Sequence, residues 1–328
     1  MYSVHQHWDP LKVCAVGQSY APEFYSFIKN SRVRKVMERI AEETEEDYQR
    51  LITLLTSFGV ETLRPSLNHN TEVYKDGARY RAPPMCPRDY MSMIGNTFYF
   101  ESTHFHQEYS HVLDLVQQHN HIVYDQGING AATTRVGKDL YFGTTLGTTV
   151  IDNGQYTKQF PDYRTHVIDT QGHSDATFCP VKPGLIVSLY DVPTYANTFP
   201  EWEVVYLPAQ SWAAIPDFQQ LKNKNKGKWW VPGEELNDDF TDFVESWLNH
   251  WVGYVEETVF DVNMLVIDEK NVVCNNYNKQ VFDAFDRHGV TAHVLNFRHR
   301  YFWDGGLHCI TNDIHREGVQ QDYFPERT

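Results

Sequence analysis

No two of the five cysteines (Cys14, Cys86, Cys179, Cys274, Cys309) form a Cys-x-x-Cys pair, and their spacing is irregular. An odd, scattered set suggests neither a zinc box nor a disulfide framework, and fits a reducing compartment. The chain has no apolar run of the roughly eighteen residues that cross a bilayer, and its opening MYSVHQHWDPLK lacks the charged-then-apolar layout of a signal peptide. The expected location is therefore the cytoplasm, with no membrane partner. Basic residues are scarce: 28 Lys and Arg stand against 43 Asp and Glu, a formal charge of −15. Such a field repels phosphate backbones, which argues against nucleic acid as a partner and suits a cationic small molecule. Low-complexity stretches are missing too, and with 41% hydrophobic residues the whole length is expected to fold.

What is present is alternation. Short β-type runs occupy 12–17, 97–101, 121–124, 139–143, 185–190, 203–207, 264–274 and 291–297, several of them as hairpins. Between them the 3.6-residue period predicts helices over 33–58, with Val36, Ile40, Tyr48, Leu51 and Leu55 on one face, over 104–119 and over 277–288. In the last copy, NMLVIDEKNVVC reads as a hairpin turning at Asp268–Lys270, followed by a helix ending on Gly289 and the strand TAHVLNF. GNTFYFE, the helix to Asn120 and HIVY make a second copy. A repeated hairpin–helix–strand unit of about fifty residues predicts one radially repeated α/β domain over 1–328. Residues 210–250 break the pattern and read as an insertion: a lid over a pocket or, as the expectation, a decoration packing Trp229, Trp230, Trp247 and Trp251 onto the body.

Three segments carry candidate chemistry. Gly305 and Gly306 stand just ahead of Cys309 in FWDGGLHCITNDIHREG, where missing side chains allow another group to approach the backbone; Cys309 is a candidate nucleophile. In GHSDATFCPV, His173 and Asp175 are two apart and on a strand would face one side, offering a proton carrier beside a carboxylate that can bind a cation. In CPRDYMSMIGNTFYFE, Arg88 and Asp89 precede an apolar hairpin and alone would read as an edge salt bridge. The close histidine pairs His5/His7, His104/His106 and His119/His121 lack a matching carboxylate or cysteine pattern, so neither metal nor organic cofactor is expected.

Taken in order, WDPLKVCAVG, PRD…GNTFYFE, HSDATF…KPGLIVS, VNMLVIDEKNVV and GGLHCITNDIHREG resemble the amidinotransferase family over nearly the whole chain. The resemblance implies a pentein fold, a five-bladed β/α propeller with pseudo-fivefold symmetry. It also implies Cys309 as nucleophile, His173 as acid and base, and Asp89 and Asp175 as guanidinium-binding carboxylates. The adjacent Arg88 and His308 are counted with the substrate-binding residues. The expected reaction moves an amidino group from a guanidine donor to an amine acceptor, both small molecules. Hydrolysis of a guanidine is the alternative, and a non-catalytic binding module a second; a homodimer is left open.

The sequence departs from the family at three places. The acid that partners the histidine falls, in gapless register, at Asn129; a four-residue insertion would instead supply Asp125. Register favours Asn129 and chemistry favours Asp125, since an amide orients an imidazole without stabilising its cation. Val192 stands where arginine:glycine amidinotransferases carry a carboxylate-gripping arginine, and Glu256 and Glu257 stand where they carry a serine pair. A glutamate pair repels a free α-carboxylate and attracts an amine, predicting poor use of glycine unless Arg135, Arg164, Arg298 or Arg300 supplies the contact.

Overall fold

The computed structural model describes all residues except 78, 102–104, 125–126, 144–152, 171–172, 190, 192–193, 208–227, 253–260, 304 and 328. Among the described residues the fold is mixed α/β, with five three-stranded sheets and one two-stranded ribbon. Each larger sheet pairs an antiparallel couple with a third strand that returns parallel after a helix. One joins Met91–Ile94, Thr97–Phe100 and, beyond helix Ser110–Gln117, His121–Val123. The next joins Thr133–Val136, Asp139–Gly143 and, beyond Asn153–Gln159, Arg164–Ile168. Phe178–Lys182, Leu185–Ser188 and Glu203–Tyr206 repeat it, as do Leu265–Asp268, Asn271–Cys274 and Thr291–Val294 around helix Lys279–His288. The fifth sheet draws on both ends of the chain: Leu11–Val16 pairs antiparallel with Thr311–Arg316 and parallel with Glu61–Leu63.

Local chemistry explains these elements. Helix Ser31–Ser57 starts where Asn30 accepts from the Arg32 and Val33 N–H groups, and buries Val33, Met37, Ile40, Tyr48, Leu51 and Leu55 on one stripe. Helix Lys279–His288 is capped by Asn278 and ends on Gly289 at φ 67°, the left-handed conformation that a Cβ disfavours. The second helix is shorter than its period suggests, beginning at Ser110, because Phe105 and Tyr109 turn in to pack on Tyr90.

Residues from four of the sheets meet around a buried polar cluster. Asp313, fully buried, accepts from Arg88 at 2.5 Å, Arg135 at 2.8 Å and Arg316 at 2.7 Å. Arg135 also donates to the Met93 carbonyl and Arg316 to those of Asp9 and Val266, so one ion cluster ties four sheets and the N-terminal segment together. Three neighbouring guanidiniums hold Asp313 well below the usual carboxylate range, against burial, which acts the other way. In and just after the described part of the 210–250 segment, Trp229 is buried against Phe240 and Phe302, Trp230 against Tyr301 and Trp251 against Trp303, whereas Trp247 is exposed.

Candidate active site

Cys309 stands on a helical turn that precedes strand Thr311–Arg316, with the Ile310 N–H bonded to the Gly306 carbonyl. Both glycines are needed for close approach: a Cβ on Gly305 would lie 2.7 Å from the Cys86 sulfur, and one on Gly306 2.5 Å from Asn263 Oδ1. Asn263 enters from the sheet of Leu265–Asp268. Its Oδ1 accepts from the N–H groups of His308 (2.8 Å) and Cys309 (3.1 Å), while its Nδ2 donates to the Cys309 Sγ at 2.9 Å. Cys309 is only 3% exposed.

A carboxylate faces the same sulfur: Asp175 Oδ2 lies 3.4 Å from Sγ and 2.8 Å from His308 Nδ1. A carboxylate can only accept, so Nδ1 of His308 carries the proton. Burial, helped by the Arg88 charge, lowers His308 to about 4 and keeps the ring neutral. Burial alone would raise Asp175, but the His308 bond, with His173 and Arg88 nearby, brings it below the usual value, so it is ionised. Its second oxygen, Oδ1, is buried without a hydrogen-bond partner among the described residues. Beneath Asp175 and His308 a small cavity of about 10 Å³, bounded by His7, Thr133, Thr134 and Arg316, has room for roughly one water.

His173 and Asp175 do not lie on a strand, as their spacing suggested. His173 caps a single 3-10 turn, Ser174–Ala176, fixed where the Asp175 N–H and the Ser174 hydroxyl both bond the Ala131 carbonyl. On that turn the two side chains diverge. Asp175 goes inward to Cys309, while His173, with its side chain 23% exposed, brings Nδ1 to 4.0 Å from Asp89 Oδ1. Asp89 ends the turn Pro87–Asp89, which the Arg88 N–H anchors to the Cys309 carbonyl. Cys309, Asp175, Asp89 and His173 thus belong to one knot of backbone contacts that includes residues 129–131.

Arg88 has a different task from substrate binding. Its guanidinium is fully buried, paired with Asp313 and bonded through Nε to the carbonyls of His308 and Thr311, so it supports the Cys309 turn from below. Asn129 gives its Oδ1 to the Ala132 N–H, closing the turn that holds Asp175. Asp125, Val192, Glu256 and Glu257 lie outside the described residues. The four arginines considered as carboxylate grips are committed elsewhere: Arg135 to Asp313, Arg164 to Asp139 and Asp322, Arg298 to Asp47 and Glu46, Arg300 to Asn296 and Tyr301. Sequence reading missed Asn263. The signal was there, because an asparagine in the otherwise apolar run VNMLVI is a buried polar group that must have partners.

No family model matches the chain. Among curated proteins it is 23% identical to mitochondrial glycine amidinotransferase of Xenopus tropicalis over 98% of this chain and 84% of that one. It is 30% identical to the Xenopus laevis counterpart over 50% of this chain, spanning 32% of that protein's length. L-arginine:L-lysine amidinotransferase of Pseudomonas savastanoi pv. phaseolicola is 23% identical over 61% of this chain and 48% of its own length. Among solved structures, inosamine-phosphate amidinotransferase of Streptomyces griseus superposes with a TM-score of 0.70 at 17% identity, over 98% of this chain and 99% of that one. Dimethylarginine dimethylaminohydrolase of Pseudomonas aeruginosa gives 0.53 at 10%, over 92% and 99%.

Proposed function

We propose, from the premise that the chain is a member of the amidinotransferase family, that it moves an amidino group from a small guanidine donor to an amine acceptor through Cys309. The observation that carries this reading is the pairing of the Cys309 sulfur, 3.4 Å away, with an ionised Asp175 whose second oxygen has no hydrogen-bond partner among the described residues. A guanidinium offers parallel N–H groups to such an oxygen and presents its carbon to the sulfur. The pentein propeller fits the five repeated sheets, with the site at the end of their shared centre. No disulfide joins the five cysteines, all of them among the described residues, which supports a reducing, cytoplasmic setting.

The carboxylate beside the sulfur opposes thiolate formation until a cation sits between them, so donor binding and nucleophile activation are coupled. Asp175 and Asp89 hold the cation. The thiolate adds to the guanidinium carbon, breaking its planarity; the C–N bond to the donor amine then breaks while His173 delivers a proton to that nitrogen. An amidino-thioether remains on Cys309. The acceptor amine loses its proton to His173 and attacks the same carbon, and cleavage of the C–S bond returns the thiolate.

The test is a panel of donors (arginine, agmatine, canavanine) against acceptors (glycine, hydroxylamine, lysine, diamines), with chromatographic assay of new guanidino products, ornithine-type amines, urea and ammonia. A guanidino product from a non-glycine acceptor is expected, with glycine poor. The Val192, Glu256 and Glu257 substitutions and the committed arginines both point to a missing α-carboxylate contact, worth about 1.5–3 kcal/mol or roughly ten- to a hundredfold in affinity. Urea or ammonia without a guanidino product would convert the enzyme to a hydrolase. No turnover and no adduct on Cys309 would leave a binding module. Robust guanidinoacetate formation from arginine and glycine would refute the specificity reading.

A further inference from the structure

We infer that Asn263 is a further catalytic residue, whose side-chain amide holds the Cys309 turn by one end and stabilises the Cys309 thiolate by the other. This inference rests on Cys309 being the nucleophile and deepens the proposed reaction.

The geometry leaves the amide one orientation. Oδ1 accepts from two successive backbone N–H groups, His308 at 2.8 Å and Cys309 at 3.1 Å, and an NH₂ in that place could accept neither. Nδ2 is therefore turned the other way, where it donates to Sγ at 2.9 Å and to the Asp175 carbonyl at 3.4 Å. Asn263 is fully buried, so these contacts are not shared with solvent. Gly306 is what admits it: a Cβ there would lie within 2.7 Å of its Cβ, Cγ and Oδ1. An N–H aimed at a sulfur favours the charged form over the neutral one, which needs no donor.

The need for such a donor follows from the other groups around the sulfur. Among the described residues these are the Asp175 carboxylate at 3.4 Å, the neutral His308 ring bonded to that carboxylate, and Cys86 across Gly305. Arg88 lies behind the turn, engaged with Asp313, and Asp89 and His173 flank it. Among the described residues the nearest charge to the sulfur is negative, and the Asn263 amide is a contact that opposes it. In the amidino-thioether stage the same fixed turn keeps the sulfur in place while the amines exchange.

The experiment needs no substrate. The rate of Cys309 carbamidomethylation by iodoacetamide is followed against pH, with mass spectrometry of the Cys309 peptide, in wild type, Asn263→Asp and Asn263→Ser. Thiolate absorbance with Cys309→Ala subtracted serves as the second measurement. Asn263→Asp keeps the oxygen that accepts from both N–H groups of the turn but replaces the donor with a repelling charge. Its alkylation midpoint is expected to rise by about one pH unit or more, slowing alkylation near neutrality roughly tenfold. The serine variant should shift the same way by less. A role in folding alone would lower the melting temperature and leave the midpoint in place, and a midpoint unchanged in either folded variant overturns the proposal. If neither variant folds, the residue belongs to the fold and the proposal is equally overturned. Should the midpoint move while no guanidino product is ever formed from any donor, the transfer reading fails and this one stands.

Discussion

Around one sulfur, an asparagine from the sheet of Leu265–Asp268, a carboxylate from the turn ahead of Phe178–Lys182 and two glycines of its own segment converge. Cys309 was legible in the sequence through its glycines and the resemblance, and so was Asp175; the partners that tune them were not, because a charge or amide in a sequence does not show whether it will be buried. Arg88 illustrates this, reading as an edge salt bridge or substrate contact and proving to be a core cation. Burial also changes what removal of the proposed nucleophile does. Cys309→Ala leaves a sulfur-sized gap and should cost about 1 kcal/mol in a denaturation experiment while abolishing turnover. Asp175→Asn still lets the amide oxygen accept from His308, so folding should survive. The lost charge should raise the donor KM by roughly ten- to a hundredfold, read in steady-state kinetics; an unchanged KM would remove Asp175 from the guanidinium site.

Several elements with an apolar side follow from the sequence, although the second helix begins later than its period suggests, whereas strands beside the central ion cluster do not. The hairpin at Asp268–Lys270 and the helix closed by Gly289 follow from turn chemistry and amphipathic spacing. Strands Thr133–Val136 and Arg164–Ile168 escaped notice because Thr, Arg and His occupy them, residues placed there by hydrogen bonds and ion pairs instead of apolar packing. The turn holding His173 was taken for strand because a two-residue spacing cannot distinguish a strand from a 3-10 turn pinned by the Ala131 carbonyl. A prediction at this scale concerns the glycine turn. In Gly306→Ala the new methyl would meet Asn263 at 2.5 to 2.7 Å, and since Asn263 is held at both ends, the Cys309 turn must shift. Turnover should fall by more than about tenfold, with a smaller effect on the melting temperature. Gly289→Ala, which meets nothing but strains a left-handed residue, should show the reverse balance: a loss of about 1 kcal/mol in stability and normal turnover.

At the scale of the whole molecule, both ends of the chain contribute strands to one sheet, and Asp313 on its C-terminal strand gathers Arg88, Arg135 and Arg316 at the centre. Removing one partner of a buried cluster leaves uncompensated charge, so Asp313→Asn, which strands three guanidiniums, should cost about 3–5 kcal/mol. The pH dependence follows from the directions of the shifts. Asp313 is depressed in the folded state, so its contribution is complete above the unfolded carboxylate value near 4 and is lost as pH falls below it. His308 is also depressed, from an ordinary 6.5 to about 4, so its protonation favours the unfolded chain: the ring costs the fold nothing above about 6.5, and stability falls as pH drops from there towards 4. His7, held neutral by burial and by Arg135, adds to the same upper window. Thermal melts from pH 8 to pH 3 should therefore show two descending limbs. His308→Gln should flatten part of the upper one, and Asp313→Asn should start lower at neutral pH and lose the steepest part of the acid limb. Parallel curves for Asp313→Asn and wild type below pH 4 would show that the central cluster does not govern acid unfolding, whatever its geometry.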